Sequence, residues 1–256
     1  MSDALPSARP AQARLQVKNL DVHLVAAKGV GVPVLSDVSF GIEPGTIVGL
    51  FGESGCGKTT LALALLKLLS PARYRVRGEV RLGDQNLLGL TGRQLESIRG
   101  AQISLILQDP LLALNPVLRA GTQVAEVMRA HGGWPSGSGL ESLFQLAGLA
   151  DWSRIAASYP HQLSGGERQR VTIAQALACK PALVVADEPF TALDAVRVVE
   201  LAALFRGLRE KLRTSFLLIS HSPGVMAATA DHVLVMRGGR IMARGTPRQV
   251  LYAYAH

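Results

Sequence analysis

The chain has little cysteine, few aromatic residues and no long apolar run. Its 256 residues include two cysteines, Cys56 and Cys179, too few for a disulfide framework or a cysteine metal cluster. Phe, Trp and Tyr together make up 5%, which argues against an aromatic platform for stacking nucleic-acid bases. A membrane-spanning helix needs about 20 consecutive apolar residues; the nearest stretch, residues 61–69, is shorter and interrupted by Lys67. Membrane association is therefore expected to come through a partner. Residues 1–13 are rich in Ala, Pro and Ser and lack the apolar centre of a secretory signal. They read as a flexible tail on a protein expected in the cytoplasm. Acidic residues are also outnumbered, 19 against 27 basic ones, for a formal net charge of +8. No compact Lys/Arg block stands out, so the excess reads as a solvated basic surface and no nucleic-acid partner is expected.

What is present is globular composition, 48% hydrophobic and 18% charged, in a length suited to one large α/β domain with or without an insert. Short β-branched or alternating runs predict strands over residues 15–24, 46–51, 78–82, 103–107, 182–186, 215–220, 232–236 and 240–243. Helices are predicted over 59–69, 122–131, 140–149, 167–179, 194–212 and 249–254. The fifth of these carries Leu201, Leu204, Phe205, Leu208 and Leu212 at helical spacing. The later strands alternate with helices or with the tight Gly238-Gly239 turn, the pattern of a mostly parallel sheet covered by helices. Residues 109–162 contain helix-length stretches and a Gly/Pro/Ser-rich break at 132–139. They are predicted as a helical subdomain inserted into a core formed by 14–108 and 163–256.

Chemistry concentrates in three places. Gly52-Glu53-Ser54-Gly55-Cys56-Gly57-Lys58-Thr59 fits G-x-x-x-x-G-K-S/T, with an apolar strand before it and a helix beginning through Thr60 after it. The glycines let backbone N–H groups face a phosphate chain at a helix N-terminus. Lys58 is expected to reach the β- and γ-phosphates and Thr59 to ligate Mg2+. Cys56 occupies a variable position of the loop and is expected to be chemically idle. Next, the apolar run 182–186 ends in Asp187-Glu188. Asp187 there suits a Mg2+ partner and Glu188 a general base for the attacking water. Third, Ser164-Gly165-Gly166-Glu167 can cap a following helix and leave N–H groups at its start as a second anion site. On physics alone, an ordinary helix cap explains that third run equally well.

Ser164, Gly165, Gly166, Glu167, Arg168 and Gln169 together resemble the signature sequence of ATP-binding cassette (ABC) proteins. Other elements of that family occur in its order over roughly residues 15–250: Gln108 as the Q-loop glutamine, Ala192-Leu193-Asp194 as the D-loop and His221 as the switch histidine. The resemblance implies a P-loop NTPase of the ABC ATPase type, a mostly parallel core with an antiparallel β part and an inserted helical subdomain. It implies that two ATPase subunits, identical or homologous, bind ATP and Mg2+ head to tail. Ser164, Gly165, Gly166, Gln169 and Asp194 of one would then serve the nucleotide held by the other's residues 52–60. Gln108 would sense Mg2+ or the attacking water, and His221 would hold the γ-phosphate.

Gln108-Asp109-Pro110-Leu111-Leu112-Ala113-Leu114-Asn115-Pro116 and Tyr159-Pro160-His161-Gln162 resemble importers of dipeptides, oligopeptides, nickel and metal–metallophore complexes. That branch implies transmembrane permease subunits, a substrate-binding protein acting indirectly, and a place on the cytoplasmic face of the bacterial inner membrane. A Cys-containing C-terminal extension seen in peptide-importing relatives is absent, and the length suits shorter nickel or metallophore members. The competing readings are an accessory ATPase of a soluble multi-enzyme complex, such as one for phosphonate breakdown, a DNA or ribosome ATPase, and a degenerate binding module. The chain departs from the family twice. No aromatic residue stands where adenine is usually stacked, leaving His23 as the substitute, and Phe190 follows Asp187-Glu188-Pro189 where a small polar residue is commoner.

Overall fold

The computed structural model describes residues 14–25, 31–133, 137–191 and 193–254; the N-terminal tail and Ala192 lie outside them. The strands are β1 (Leu15–Leu24), β2 (Val32–Ile42), β3 (Ile47–Gly52), β4 (Tyr74–Leu82), β5 (Gln85–Asn86), β6 (Ile103–Ile106), β7 (Leu183–Asp187), β8 (Ser215–Ser220), β9 (His232–Arg237) and β10 (Arg240–Gly245). The helices are α1 (Lys58–Leu65), α2 (Gly92–Glu96), α3 (Pro110–Ala113), α4 (Ala120–Ala130), α5 (Gly137–Leu146), α6 (Trp152–Ala157), α7 (Gly165–Leu177), α8 (Ala195–Leu212), α9 (Pro223–Thr229) and α10 (Pro247–Tyr254).

Two sheets result. The larger runs β10-β9-β3-β8-β7-β6, parallel throughout except for the β9–β10 hairpin. The smaller, antiparallel one runs β2-β1-β4-β5. Alternation along the central strands divides the interior into two cores. Ile47, Val184, Phe216 and Leu218 join α7, α8 and the helices of residues 110–157 on one face. Their neighbours Val48, Val185, Leu217 and Ile219 meet α1 and the antiparallel sheet on the other. Strands buried on both faces therefore read as continuous apolar runs, which is why they stood out in the sequence.

Outside the inserted segment, β2, β5, α2 and α9 were not predicted. β2, eleven residues long, contains Pro33, Asp37 and Gly41, and its alternation breaks at bulges against β1; such residues lower strand propensity. α9 is short and begins at Pro223, a favoured first helical position. β4 starts four residues earlier than predicted, and α1 ends at Leu65 rather than Leu69 because Lys67 adopts φ 52°. Between β6 and α7 the described residues form helices and a single 3-10 turn, and Leu143, Phe144, Ala147, Leu149 and Ile155 anchor this segment to the α7 face of the core.

The parallel register sets the position of the site. Phe51 lies opposite Ser220, Gly52 opposite Met236, Asp187 opposite Ile219 and Ile106 opposite Ala186. The residues that follow β3, β6, β7 and β8 therefore leave one edge, the carboxyl end of the parallel sheet, where ligands bind in open α/β folds.

Candidate active site

The phosphate loop leaves β3 and is held by backbone. The Cys56 N–H donates to the Glu53 carbonyl at 3.4 Å, and the Gly239 N–H donates to the Cys56 carbonyl at 3.1 Å. Two glycines here are sterically required. Gly57 sits at φ 107°, and a Cβ on it would lie 2.8 Å from Leu35 Cδ2. A Cβ on Gly52 would meet the Met236 carbonyl oxygen at 2.4 Å. α1 starts at Gly57 with no side-chain cap, so its first N–H groups are left for an anion. Lys58, 7% exposed, donates from Nζ to the Gly52 and Glu53 carbonyls at 2.8 Å each. The ammonium thus closes the loop around the position where phosphates are expected.

A cavity of about 580 Å3 opens over this loop. Residues 52–60 line it, Cys56 excepted, together with Gln108, Glu188 and His221. Cys56 instead turns its side chain into the core. Val34 and Phe51 also line the cavity; neither carried a signal in the sequence. His23 is not among the lining residues. It sits in β1, opposite Pro33 and Arg75.

Asp187 ends β7 and is buried. Its Oδ1 has no hydrogen-bond partner among the described residues. Burial pushes its carboxyl above the usual range, the neighbouring Glu188 adds to this, and the Thr59 hydroxyl opposes it with a hydrogen bond. Glu188, 9% exposed, adopts φ 50°, a left-handed conformation that a non-glycine residue holds only under constraint. Its carboxylate lies 3.0 Å from His221 Nδ1 and 4.0 Å from Lys58 Nζ. An imidazolium at His221 would donate to Glu188 from Nδ1 and outward from Nε2. Phe190 is buried at 6% exposure. Its ring packs 5.8 Å from Phe205, which meets Phe216 edge-on at 5.4 Å. The unusual aromatic residue therefore anchors the loop that carries Glu188.

The signature run lies in a second cavity, of about 310 Å3, which shares no lining residue with the first. Ser164 caps α7 in a full capping box. The Glu167 N–H donates to Ser164 Oγ at 3.2 Å, and the Ser164 N–H donates to Glu167 Oε2 at 2.8 Å. Two of the amides expected to await an anion are therefore already taken, leaving those of Gly165 and Gly166. The capping bond from Ser164 and the guanidinium of Arg154 on α6 hold the Glu167 carboxyl below its ordinary range. Gln169 and Asp194 have local partners: the Gln169 amide donates to the Pro189 carbonyl, and Asp194 caps α8 through the Arg197 N–H at 2.9 Å.

A strand, a glycine-bounded loop, an uncapped helix and an acidic pair at the end of β7, one strand removed in the sheet, define a P-loop nucleotide-binding protein. A family model described as ABC transporter matches residues 35–191. The chain is 40% identical over 236 residues to the probable peptide ABC transporter ATP-binding protein y4tR of Sinorhizobium fredii, covering 91% of this chain and 70% of that one. It is 37% identical over 256 residues to the oligopeptide transport ATP-binding protein OppD of Salmonella typhimurium, covering 99% and 76% respectively. Among solved structures, the dimeric ATP-binding cassette MJ0796 bound to ADP and Pi aligns with TM-score 0.79 at 27% identity, over 91% of this chain and 99% of that one. The chain belongs to the ABC transporter family as an ATP-binding subunit, and its activity is ATP hydrolysis. No helix among the described residues is long and apolar enough to cross a membrane.

Proposed function

We propose that this chain powers a peptide importer, held to the cytoplasmic face of the bacterial inner membrane by permease subunits that receive cargo from a substrate-binding protein. The observation that carries the proposal is the separation of phosphate loop and signature into two cavities of one chain. Neither cavity alone combines the nucleotide loop with the second set of helix N–H groups. A second ATPase subunit, identical or homologous, placed head to tail completes both. Ser164, Gly165 and Gly166 of one subunit then face the γ-phosphate held by residues 52–60 of the other. The dimeric state of MJ0796 supports this arrangement.

The peptide assignment rests on the names of y4tR and OppD. The sequence-based leaning toward nickel or metallophore members depended on chain length. The chain spans only 70% and 76% of those two relatives, so length carries no weight for cargo. Residues 109–162 act in this proposal as the helical subdomain that passes movement of Gln108 to the permease.

The site fits Mg2+. The orphaned Asp187 Oδ1 and the Thr59 hydroxyl bonded to Asp187 are hard oxygen donors, and Thr59 and Gln108 line the nucleotide cavity. Mg2+ bound there neutralises charge on the β- and γ-phosphates. Glu188 accepts a proton from water as the water oxygen bonds to the γ-phosphorus. The bond to the bridging oxygen breaks, and its electron pair leaves with ADP. His221 orients Glu188 through Nδ1, and Lys58 balances charge on the phosphates.

Glu188→Gln tests the chemistry. The variant is expected to bind ATP normally, to lose roughly 100-fold or more in turnover, and to accumulate as an ATP-bound dimer on size-exclusion chromatography. Unchanged turnover would remove Glu188 from its role. For the transport reading, the tagged chain should co-purify with a membrane permease; recovery with soluble enzymes alone would overturn it.

A further inference from the structure

Gln169 lies one turn into the signature helix, and its side chain reaches the loop that carries Glu188. Its Nε2 donates to the carbonyl of Pro189, the residue after Glu188. We infer that Gln169 is a positioning residue: it ties the helix that meets the second subunit's nucleotide to the carboxylate that works on this chain's own. The inference rests on the assignment of Glu188 as general base.

The physical reason is the backbone of Glu188. A left-handed non-glycine residue persists only where its surroundings fix it from several sides. Three ties are internal to the core. The Glu188 N–H donates to the Ile219 carbonyl at 3.0 Å, the Thr191 N–H donates to the Glu188 carbonyl at 3.2 Å, and Phe190 is buried against Phe205. Between them stands Pro189, which has no N–H and can hydrogen-bond only through its carbonyl. Gln169 takes that carbonyl and supplies a tie that comes from α7.

The next residue reaches the other way. Arg170 donates to the Ala147 carbonyl at 3.2 Å and pairs with Glu200 at 3.5 Å. The start of α7 thus touches the catalytic loop on one side and the helices of residues 110–157 on the other. When the signature engages the other subunit's nucleotide, a shift of α7 moves Pro189 and turns Glu188 relative to His221. Each site thereby senses the occupancy of its counterpart.

The test uses the purified full chain with two substitutions at Gln169. Gln169→Met keeps the length but removes the donor; Gln169→Lys restores a donor. Loss of one such hydrogen bond is expected to lower kcat about fivefold in Gln169→Met, with KM for ATP and the thermal midpoint unchanged and at least half of kcat restored in Gln169→Lys. In a Glu188→Gln background, Gln169→Met should add no further loss. Wild-type kcat in Gln169→Met would overturn the positioning role, and so would a raised KM at unchanged kcat, which marks direct contact with nucleotide. Full turnover in Glu188→Gln alone would instead bring down the general-base assignment on which the inference stands.

Discussion

α1 and α7 both begin at a glycine-rich turn, and both point their first amides toward open space, but those amides are satisfied in opposite ways. At α1 the cap position is Gly57, no side chain competes for the helix N-terminus, and Lys58 stands beside it. At α7 Ser164 and Glu167 bond each other's amides, and Glu167 brings a carboxylate to the place where an anion would come. Arg154 offsets that charge. The first site is organised for phosphate within the chain. The second is stable in water by itself and offers fewer donors to an anion. The glycines differ in the same way. Those at 52 and 57 are forced by backbone and side chains less than 3 Å from where a Cβ would be, whereas a Cβ on Gly165 or Gly166 would meet nothing within 4 Å. One pair of glycines is required by the fold, and the other is not.

The largest effect should come from breaking the loop side. Lys58→Ala removes a charge held among phosphate-facing donors and frees two carbonyls, so ATP affinity should fall roughly 100-fold or more in a calorimetric titration. Gly166→Asp supplies the contrast. Its single-chain ATP affinity should stay within about twofold while turnover and ATP-driven pairing vanish, since the added carboxylate repels the second subunit's nucleotide. Equal loss of affinity in both variants would erase the distinction between the two helix starts.

Stability should separate them next. Gly57→Ala forces a left-handed alanine onto Leu35 and should cost about 2 kcal/mol or more by urea unfolding. Gly165→Ala should change stability by less than about 0.5 kcal/mol. A smaller effect concerns the cap. Glu167→Ala should cost roughly 1 kcal/mol at pH 7. Because the folded protein holds the Glu167 carboxyl below its ordinary range, this stabilisation is present above that range and is lost as pH falls through the folded-state value. The difference between variant and wild type should therefore shrink below about pH 4.

The smallest effect has the opposite sign. Burial raises the Asp187 carboxyl, so folding favours its protonated form and the wild type loses stability as pH rises from the ordinary carboxylate range through the raised value. Asp187→Asn escapes that cost. It should melt a few degrees higher than wild type at pH 7 without nucleotide, by differential scanning calorimetry, and hydrolyse no ATP. The reverse order of melting would show that the buried carboxylate is better satisfied than its orphaned Oδ1 implies.

Most of the site residues were legible because they obey local rules. A loop that must turn back at the end of a strand and open a helix requires Gly52, Gly57 and Lys58 at fixed spacing, and a doubly buried strand ending in Asp187-Glu188 announces itself by its apolar run. β2 was hidden because its stability comes from pairing with β1 rather than from its own composition, and α9 because its seven residues are too few for a periodic signal. The Phe190 stack, the Arg154 contact to Glu167 and the contact from Gln169 to Pro189 had no signal at all, since each joins residues whose proximity depends on how helices rest on the sheet.

By itself the sequence determined the chemistry of this protein. Phosphate loop, acidic pair and capped signature are each short enough that backbone geometry and residue type decide them, and their order along the chain identifies the ABC class. The tertiary structure decided which of these parts work together. Parallel register brings Gly52, Gln108, Glu188 and His221 to one sheet edge, and the placement of α7 sends the signature to a different cavity. Spacing along a chain carries no information on such distances; they follow from two cores built on opposite faces of one sheet, which hold the loop on one side and the signature on the other.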